Sequence, residues 1–152
     1  IFMMIQAAGL LASKLAIVLV HSARSLPFTV LILSVFFRKM PKSIFEAVVL
    51  DGCSLLQSFL RIALPMALAP LAATGLFAFM LSYAEFMFSH VLSGDADSRP
   101  VSVVMAALAR NPDVSWSLLN TAIFVAILPT ILLVAVVWRY VIADLVRGAV
   151  KG

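Results

Sequence analysis

Long apolar stretches alternate with polar segments along the chain, and two of these stretches carry no charge. Residues 62–84 run for 23 positions without Asp, Glu, Lys or Arg, and residues 114–138 run for 25. A helix that crosses the hydrocarbon core of a bilayer needs roughly 20 mainly apolar residues. Both stretches therefore predict transmembrane helices.

A third stretch of suitable length, residues 15–37, contains His21, Arg24 and Pro27. A charged side chain in the middle of a spanning helix costs about 2.5–3.5 kcal/mol on insertion scales, which the surrounding apolar residues can offset. We therefore predict an all-α, polytopic integral membrane protein. Its three transmembrane helices are expected at 15–37, 64–88 and 114–138.

Composition agrees with a membrane protein and excludes several classes of function. The chain is 64% hydrophobic and 12% charged, whereas soluble domains are near half apolar and a quarter charged. Its basic residues form no patch interleaved with aromatic residues, so we expect no nucleic acid partner. The sequence has no Gly-rich phosphate loop, and its two histidines lie far from each other and from Cys53, the single cysteine. We therefore predict no enzyme activity, no metal site, no cofactor and no internal disulfide.

Charge distribution predicts the orientation. Seven Lys or Arg residues lie in 38–63 and 139–152, against three on the opposite face. Because basic residues are enriched on the cytoplasmic side, we expect 38–63 and the tail 139–152 in the cytoplasm. The segment 1–14 and the loop 89–113 are then external, which puts the N-terminus outside. Within that loop, we expect a turn followed by a short surface helix at 101–109.

The polar segment between the first two spans has the pattern of two short, capped helices. Ser43 with Glu46, and Ser54 with Gln57, each have the spacing of a capping box, and Gly52 suits the left-handed end of the first helix. Helices this short are unstable alone, so their apolar residues need a partner surface. The pair is either a docking element or a capped linker without a partner.

Motifs in this segment resemble those of a known family. Glu46-Ala47, Asp51-Gly52 and then Ile62-x-Leu64-Pro65 are similar, in type and spacing, to the EAA motif of ABC importer permease subunits. That motif reads E-A-A-x-x-x-G followed by I-x-L-P, and here Val48 stands at its third letter.

The resemblance extends over nearly the whole chain. Residues 82–86, SYAEF, are similar to the W-N-E-F element of the carbohydrate-uptake branch, the maltose-system type, although Tyr83 and Ala84 replace its Trp-Asn pair. Residues 148–152 are similar to that branch's C-terminus. Such permeases have about six spans, so the resemblance implies that residues 1–152 are the C-terminal half of one permease domain.

The resemblance implies a role in binding-protein-dependent import across the bacterial inner membrane. Cytoplasmic ABC ATPase subunits would bind and hydrolyse ATP, while a second permease subunit, an external solute-binding protein and membrane lipid would be further partners. The solute would be a sugar, an oligosaccharide or glycerol phosphate, moved inward by alternating access. The implied ATPase-coupling residues are Glu46, Ala47, Asp51, Gly52, Ile62, Leu64 and Pro65, and the implied tail contacts are Val150, Lys151 and Gly152.

Five polar residues near the predicted external side are candidates for the solute path: His21, Arg24, Ser25, Tyr83 and Glu85. Intramembrane charges usually face a cavity or a partner. The competing interpretation is structural, with Arg24 paired to Glu85 or extended toward the interface.

Two other functions stay open. The same importer type could carry a polyamine or an amino acid. The chain could also be a small or truncated membrane scaffold without transport activity, because three spans alone cannot enclose a path.

Overall fold

The computed structural model describes residues 2–50, 52–94 and 96–149, and within these ranges the regular structure is helical with no β-strand. The all-α prediction is confirmed. The α-helices are α1 (Phe2–Ala7), α2 (Lys14–Arg38), α3 (Lys42–Leu50), α4 (Leu55–Ser58), α5 (Leu64–Met66), α6 (Leu68–Tyr83), α7 (Met87–Leu92), α8 (Val101–Arg110) and α9 (Trp116–Ala149). A π-helical turn at Phe59–Ala63 joins α4 to α5, and a 3₁₀ turn lies at Ala96–Ser98.

Two described helices are long and apolar enough to cross a membrane by themselves, namely α2 and the Trp116–Arg139 part of α9. The helical stretch Leu55–Met66 and α6 pass the same test together, as a pair bent by 70°. By length and composition the described residues thus hold two candidate spans, or three if the bent pair forms one. This agrees with a polytopic membrane protein.

The chain divides into two compact units. The first consists of Ile1–Pro27 and Ala78–Leu133, and the second of Phe28–Phe77 and Val134–Gly152. In the first unit, a buried apolar cluster joins α1, α2 and α7 through Ile5, Ala16, Ile17, Val20 and Leu92. The second unit contains α3, α4, the π-helical turn and α5.

The helix expected over 64–88 has different ends. Its straight part, α6, begins at Leu68 and ends at Tyr83, after which α7 starts at Met87. The new start has a physical cause, because the carboxylate of Glu85 accepts the backbone N–H groups of Phe88 and Ser89 at 3.0 and 2.9 Å. These are free donors at the first turn of α7, so Glu85 caps a new helix where the apolar pattern predicts a continuous one.

Helices also lie in three segments outside the predicted spans. The 1–14 segment contains α1, and the 89–113 loop contains α8, which matches the expected helix at 101–109. Helix α9 continues through the predicted tail to Ala149. The tail residues expected to contact a partner, Val150, Lys151 and Gly152, lie outside the described residues.

Candidate functional site

Glu85 is the centre of a polar network in the first unit. Only 7% of the residue is exposed, although a buried carboxylate is costly unless it is fully paired. Besides the two backbone amides of α7, its Oε2 accepts the hydroxyl of Ser89 at 3.0 Å. Its own carbonyl accepts the hydroxyl of Ser102 at 2.6 Å, which ties the break between α6 and α7 to α8.

His21 of α2 fills the space beside this carboxylate. Its Nε2 lies 3.3 Å from Oε2 of Glu85 and 3.0 Å from Oγ of Ser89, and its Nδ1 lies 2.6 Å from Oγ of Ser82. A neutral imidazole with its proton on Nε2 satisfies these contacts, since Nε2 then donates to Glu85 or Ser89 while Ser82 donates to Nδ1. The network therefore locks α2 onto the end of α6 and the start of α7.

Arg24 supplies the counter-charge one turn further along α2. Its guanidinium lies 3.3 Å from Oε1 of Glu85, with the Arg24 side chain 49% exposed. The guanidinium also sits over the ring of Phe88, 5.4 Å from its centroid, which is a favourable cation–π geometry. The ion pair between Arg24 and Glu85 that the structural interpretation predicted is thus present.

A cavity of about 450 Å³ opens beside the network. It is lined by Ile17, Val18, His21, Ser22, Ser25, Phe79, Ser82, Tyr83, Pro100 and Val101. Phe79 and Tyr83 form one wall as a stacked pair with ring centroids 5.1 Å apart. The hydroxyl of Tyr83 donates to the carbonyl of Ala126 on α9 at 2.6 Å, so this ring is fixed in place.

The five predicted solute-path residues fall into two groups in the structure. His21, Ser25 and Tyr83 line the cavity, whereas Glu85 and Arg24 lie in the network behind His21. Sequence reasoning missed the network roles of three serines, which are Ser82, Ser89 and Ser102. For Ser89, the sequence did contain a signal, because residues four positions apart, such as Glu85 and Ser89, are neighbours on a helix.

The segment predicted to couple to an ATPase subunit begins at α3. The helix starts at Lys42, so Ser43 lies within its first turn and is not the N-cap that its spacing with Glu46 predicts. The chain enters the helix directly after Pro41, whose carbonyl accepts the N–H of Ile44 at 3.3 Å, and proline suits a helix start. Glu46 is exposed on α3. Ala47 is also in α3.

The end of α3 has the geometry predicted for Gly52. Gly52 has φ +78°, a left-handed conformation that a side chain disfavours. The N–H of Cys53 donates to the carbonyl of Val48 at 3.2 Å, which is the long bond of a Schellman motif. Asp51, the other predicted coupling residue here, lies outside the described residues.

The second capping box is present as predicted. Ser54 Oγ accepts the N–H of Gln57 at 3.3 Å, and the side chain of Gln57 accepts the N–H of Ser54 at 3.0 Å. The predicted coupling residue Ile62 lies in the π-helical turn that follows, and Leu64 and Pro65 start α5. Because Pro65 has no N–H and its ring crowds the preceding turn, a widened turn suits this position.

The turn between α3 and α4 exposes large apolar side chains. Leu50 is 87% exposed, Leu55 is 83% exposed, and Leu56 is also largely exposed. These leucines flank Gly52 on both sides, so the rigid turn presents an apolar surface with the carboxylate of Glu46 on the preceding helix.

Comparison with known proteins gives consistent matches over the whole chain. Residues 1–147 match the family described as binding-protein-dependent transport system inner membrane component. The diacetylchitobiose uptake system permease protein NgcG of Streptomyces coelicolor is 31% identical over 153 residues, covering 99% of this chain and 51% of that protein. The trehalose/maltose transport system permease protein MalG of Thermococcus litoralis is 28% identical over 153 residues, covering 100% and 55%.

The inner membrane ABC transporter permease protein YcjP of Escherichia coli is 29% identical over 152 residues, covering 100% of this chain and 54% of that protein. The chain thus spans about half the length of these curated relatives. All three are named as permease proteins.

Proposed function

Because the chain belongs to the family of binding-protein-dependent transport system inner membrane components, we propose that it is part of the permease subunit of an ATP-driven ABC importer. The protein moves a small solute inward across the bacterial inner membrane. A separate cytoplasmic ATPase subunit binds and hydrolyses ATP, and this chain itself needs no cofactor. The N-terminus lies outside and the C-terminal tail in the cytoplasm.

The observation that carries this proposal is the rigid, exposed joint between α3 and α4. The Schellman turn at Gly52 ends α3, and the capping box at Ser54 begins α4 two residues later. Its exposed leucines are the kind of apolar surface that marks a protein contact.

The joint continues directly into the helical chain that follows it in the sequence. From Leu55 to Met66 the chain is helical without a gap, through α4, the π-helical turn and α5. After a bend at Ala67, α6 carries Phe79, Ser82 and Tyr83 into the cavity wall. In the proposed mechanism, closure of an ATPase dimer bound at the joint drives alternating access by rigid-body motion.

The proposed solute is a carbohydrate. The stacked rings of Phe79 and Tyr83 offer an apolar face, and the hydroxyls of Ser22 and Ser25 lie on the same cavity. An apolar wall with a few polar groups is typical of small-molecule sites. The names of NgcG and MalG, which mention diacetylchitobiose and trehalose/maltose, support this substrate class.

The proposed assembly contains a second permease subunit, a pair of ATPase subunits and an external solute-binding protein, surrounded by membrane lipid. Two alternatives compete with it. One is the same machine with a polyamine or amino acid as solute, and the other is a membrane scaffold without transport.

Cysteine crosslinking at the joint tests the coupling role. Cys53 is the only cysteine of the chain and is partly exposed. The complete protein, with any cysteines outside this chain replaced by serine, is co-expressed with ATPase subunits that carry single cysteines along their cleft. We expect disulfides at Cys53 whose yield changes when ATP is added. If Cys53 reacts with a soluble thiol reagent but forms no disulfide with any ATPase subunit, the scaffold interpretation replaces the proposal.

A substrate screen separates the remaining alternatives. The assembled importer in proteoliposomes is supplied with labelled oligosaccharides, glycerol phosphate, polyamines or amino acids, each with its cognate binding protein. Uptake of a carbohydrate that falls in Phe79→Ala supports the cavity assignment. Uptake of an amino acid or a polyamine alone would keep the importer and overturn the substrate class.

A further inference from the structure

A second cavity, unrelated to the coupling joint, lies between α7 and α8 in the first unit. Its volume is about 290 Å³, and it is lined by Phe86, His90, Ser93, Arg99, Val103, Ala106, Ala107 and Arg110. Residues 103, 106, 107 and 110 recur at helical spacing and form one face of α8. Helix α8 thus supplies an apolar wall that ends in the guanidinium of Arg110.

Among the described residues that line this cavity, two are arginines and none is acidic. Arg99 and Arg110 both line it, and neither forms an ion pair with a carboxylate in the described part of the chain. His90 stacks on Phe86 with ring centroids 5.2 Å apart, and Ser93 adds a hydroxyl. Two guanidinium groups on one small cavity repel each other, so an anion between them would lower the energy of the site. Guanidinium groups match phosphate oxygens in geometry.

The surroundings favour an anion that also carries an apolar part. The cavity lies on the connection between α6, which forms a bent candidate span together with Leu55–Met66, and α9, whose Trp116–Arg139 part is a candidate span. Met87 and Val91, one turn apart on α7, are exposed, and Trp116 at the start of α9 is 81% exposed. Exposed apolar side chains and tryptophan at a helix start are typical of the membrane–water interface.

We propose that the cavity between α7 and α8 binds the headgroup phosphate of an anionic phospholipid. Arg99 and Arg110 hold the phosphate, Ser93 donates a hydrogen bond, and the glycerol and first methylene groups lie against Val103, Ala106 and Ala107. A free phosphate ion would use the guanidinium groups but leave this apolar wall exposed.

Lipid titration of the complete protein in detergent tests the site. Short-chain phosphatidylglycerol is added in increasing amounts, and bound lipid is measured by native mass spectrometry. In the double variant Arg99→Gln/Arg110→Gln we expect affinity for the tightest-bound lipid to fall at least roughly ten-fold, taking about 1 kcal/mol for each basic residue. Arg99→Lys/Arg110→Lys, which keeps the charge, should retain part of the affinity.

The control variant Arg38→Gln/Lys39→Gln removes the same net charge at two exposed residues outside the cavity. We expect less than a two-fold change there. An equal loss in both double variants would mean that only net charge matters, and unchanged binding in the Arg99→Gln/Arg110→Gln variant would also overturn the site.

Competition on the unaltered protein distinguishes the source of the phosphate and does not depend on how the variants fold. Inorganic phosphate in large excess should leave phosphatidylglycerol bound, and phosphatidylcholine should bind more weakly. Displacement of the lipid by inorganic phosphate at comparable concentration would assign the cavity to a soluble anion and overturn the lipid proposal.

Discussion

Nε2 of His21 lies 3.3 Å from the carboxylate of Glu85, although the two residues are 64 positions apart in the sequence. Both side chains are almost fully buried, 10% and 5% exposed. The contact joins the middle of α2 to the break between α6 and α7. His21 also lines the cavity proposed for the solute. Its contact with Glu85 therefore helps to hold one wall of that cavity in place.

Replacing Glu85 should destabilise the protein more than any other single change in the network. Glu85→Ala removes the acceptor of two backbone amides and the Ser89 hydroxyl and leaves the Arg24 charge without its partner. Each buried donor left without its acceptor costs about 1–3 kcal/mol, so these three donors together should cost roughly 3 kcal/mol or more. We expect a loss of this size in the free energy of unfolding, measured on the complete protein by titration with SDS in mixed micelles.

Glu46→Ala is the matched control, because Glu46 is an exposed glutamate on a helix. Its cost should stay within about 0.5 kcal/mol. The loss of unfolding free energy in Glu85→Gln should lie between those of Glu85→Ala and Glu46→Ala. The glutamine keeps one acceptor oxygen, but its amide group is a donor that faces other donors. Equal stability of Glu85→Ala and Glu46→Ala would show that the network contributes nothing to folding.

The two basic partners of Glu85 should differ in their effect. His21→Ala leaves Ser82 and Ser89 without their buried partner, which costs about 1–3 kcal/mol. Arg24→Gln should cost about 1 kcal/mol or less, because the Arg24 side chain is half exposed and its ion pair is screened. The same SDS titration measures both. A larger loss for Arg24→Gln would mean that neutralising Glu85 matters more than the hydrogen bonds to His21.

Local sequence signals predicted the segment around Gly52 well. The left-handed glycine and the Ser54–Gln57 capping box were both expected, since each depends on residues within one turn of the chain. The Ser43 cap was wrong because the helix begins at Lys42, directly after Pro41 and two residues before the expected start at Ile44.

The polar network could not be derived in the same way. Apolar periodicity over 64–88 gives no sign that α6 ends at Tyr83, because the break is caused by a side chain, Glu85, that takes over the amides of α7. Contacts such as Ser82 with His21 join residues 61 positions apart and follow only from packing. The sequence analysis named Arg24 as a possible partner of Glu85, and the structure has this pair, but no sequence signal gave the contacts of Glu85 with His21 and Ser89.

Replacing Ser43 and Ser54 separately by alanine tests which of the two serines caps its helix. Ser54→Ala removes the acceptor for the N–H of Gln57, and loss of such a cap costs about 1 kcal/mol. We expect hydrogen exchange of the α4 amides to accelerate roughly five-fold, measured by mass spectrometry on the complete protein. Ser43→Ala should leave the exchange of α3 nearly unchanged. Faster exchange in α3 after Ser43→Ala would restore the capping role that its sequence spacing predicts.

The turn at Gly52 allows backbone strain to be separated from steric crowding. A methyl group added at Gly52 would meet nothing within 4 Å, so the cost of Gly52→Ala comes from its φ of +78° alone. That cost is about 1–2 kcal/mol. We expect this loss of unfolding free energy together with less ATP-dependent crosslinking at Cys53, because the joint loses its fixed geometry.

Gly75→Ala is the matched control, since Gly75 lies within α6, has equally open space around it and has no positive φ. Alanine is the better helix former there, so Gly75→Ala should be neutral or stabilising by up to about 1 kcal/mol. Gly52→Asn should lose less than Gly52→Ala, because asparagine tolerates the left-handed region. If Gly52→Ala keeps both the stability and the crosslinking of the parent protein, the left-handed conformation of Gly52 contributes nothing to the joint, and the coupling proposal loses its support at this turn. A loss confined to Gly52→Ala would instead tie coupling to the conformation of this one residue.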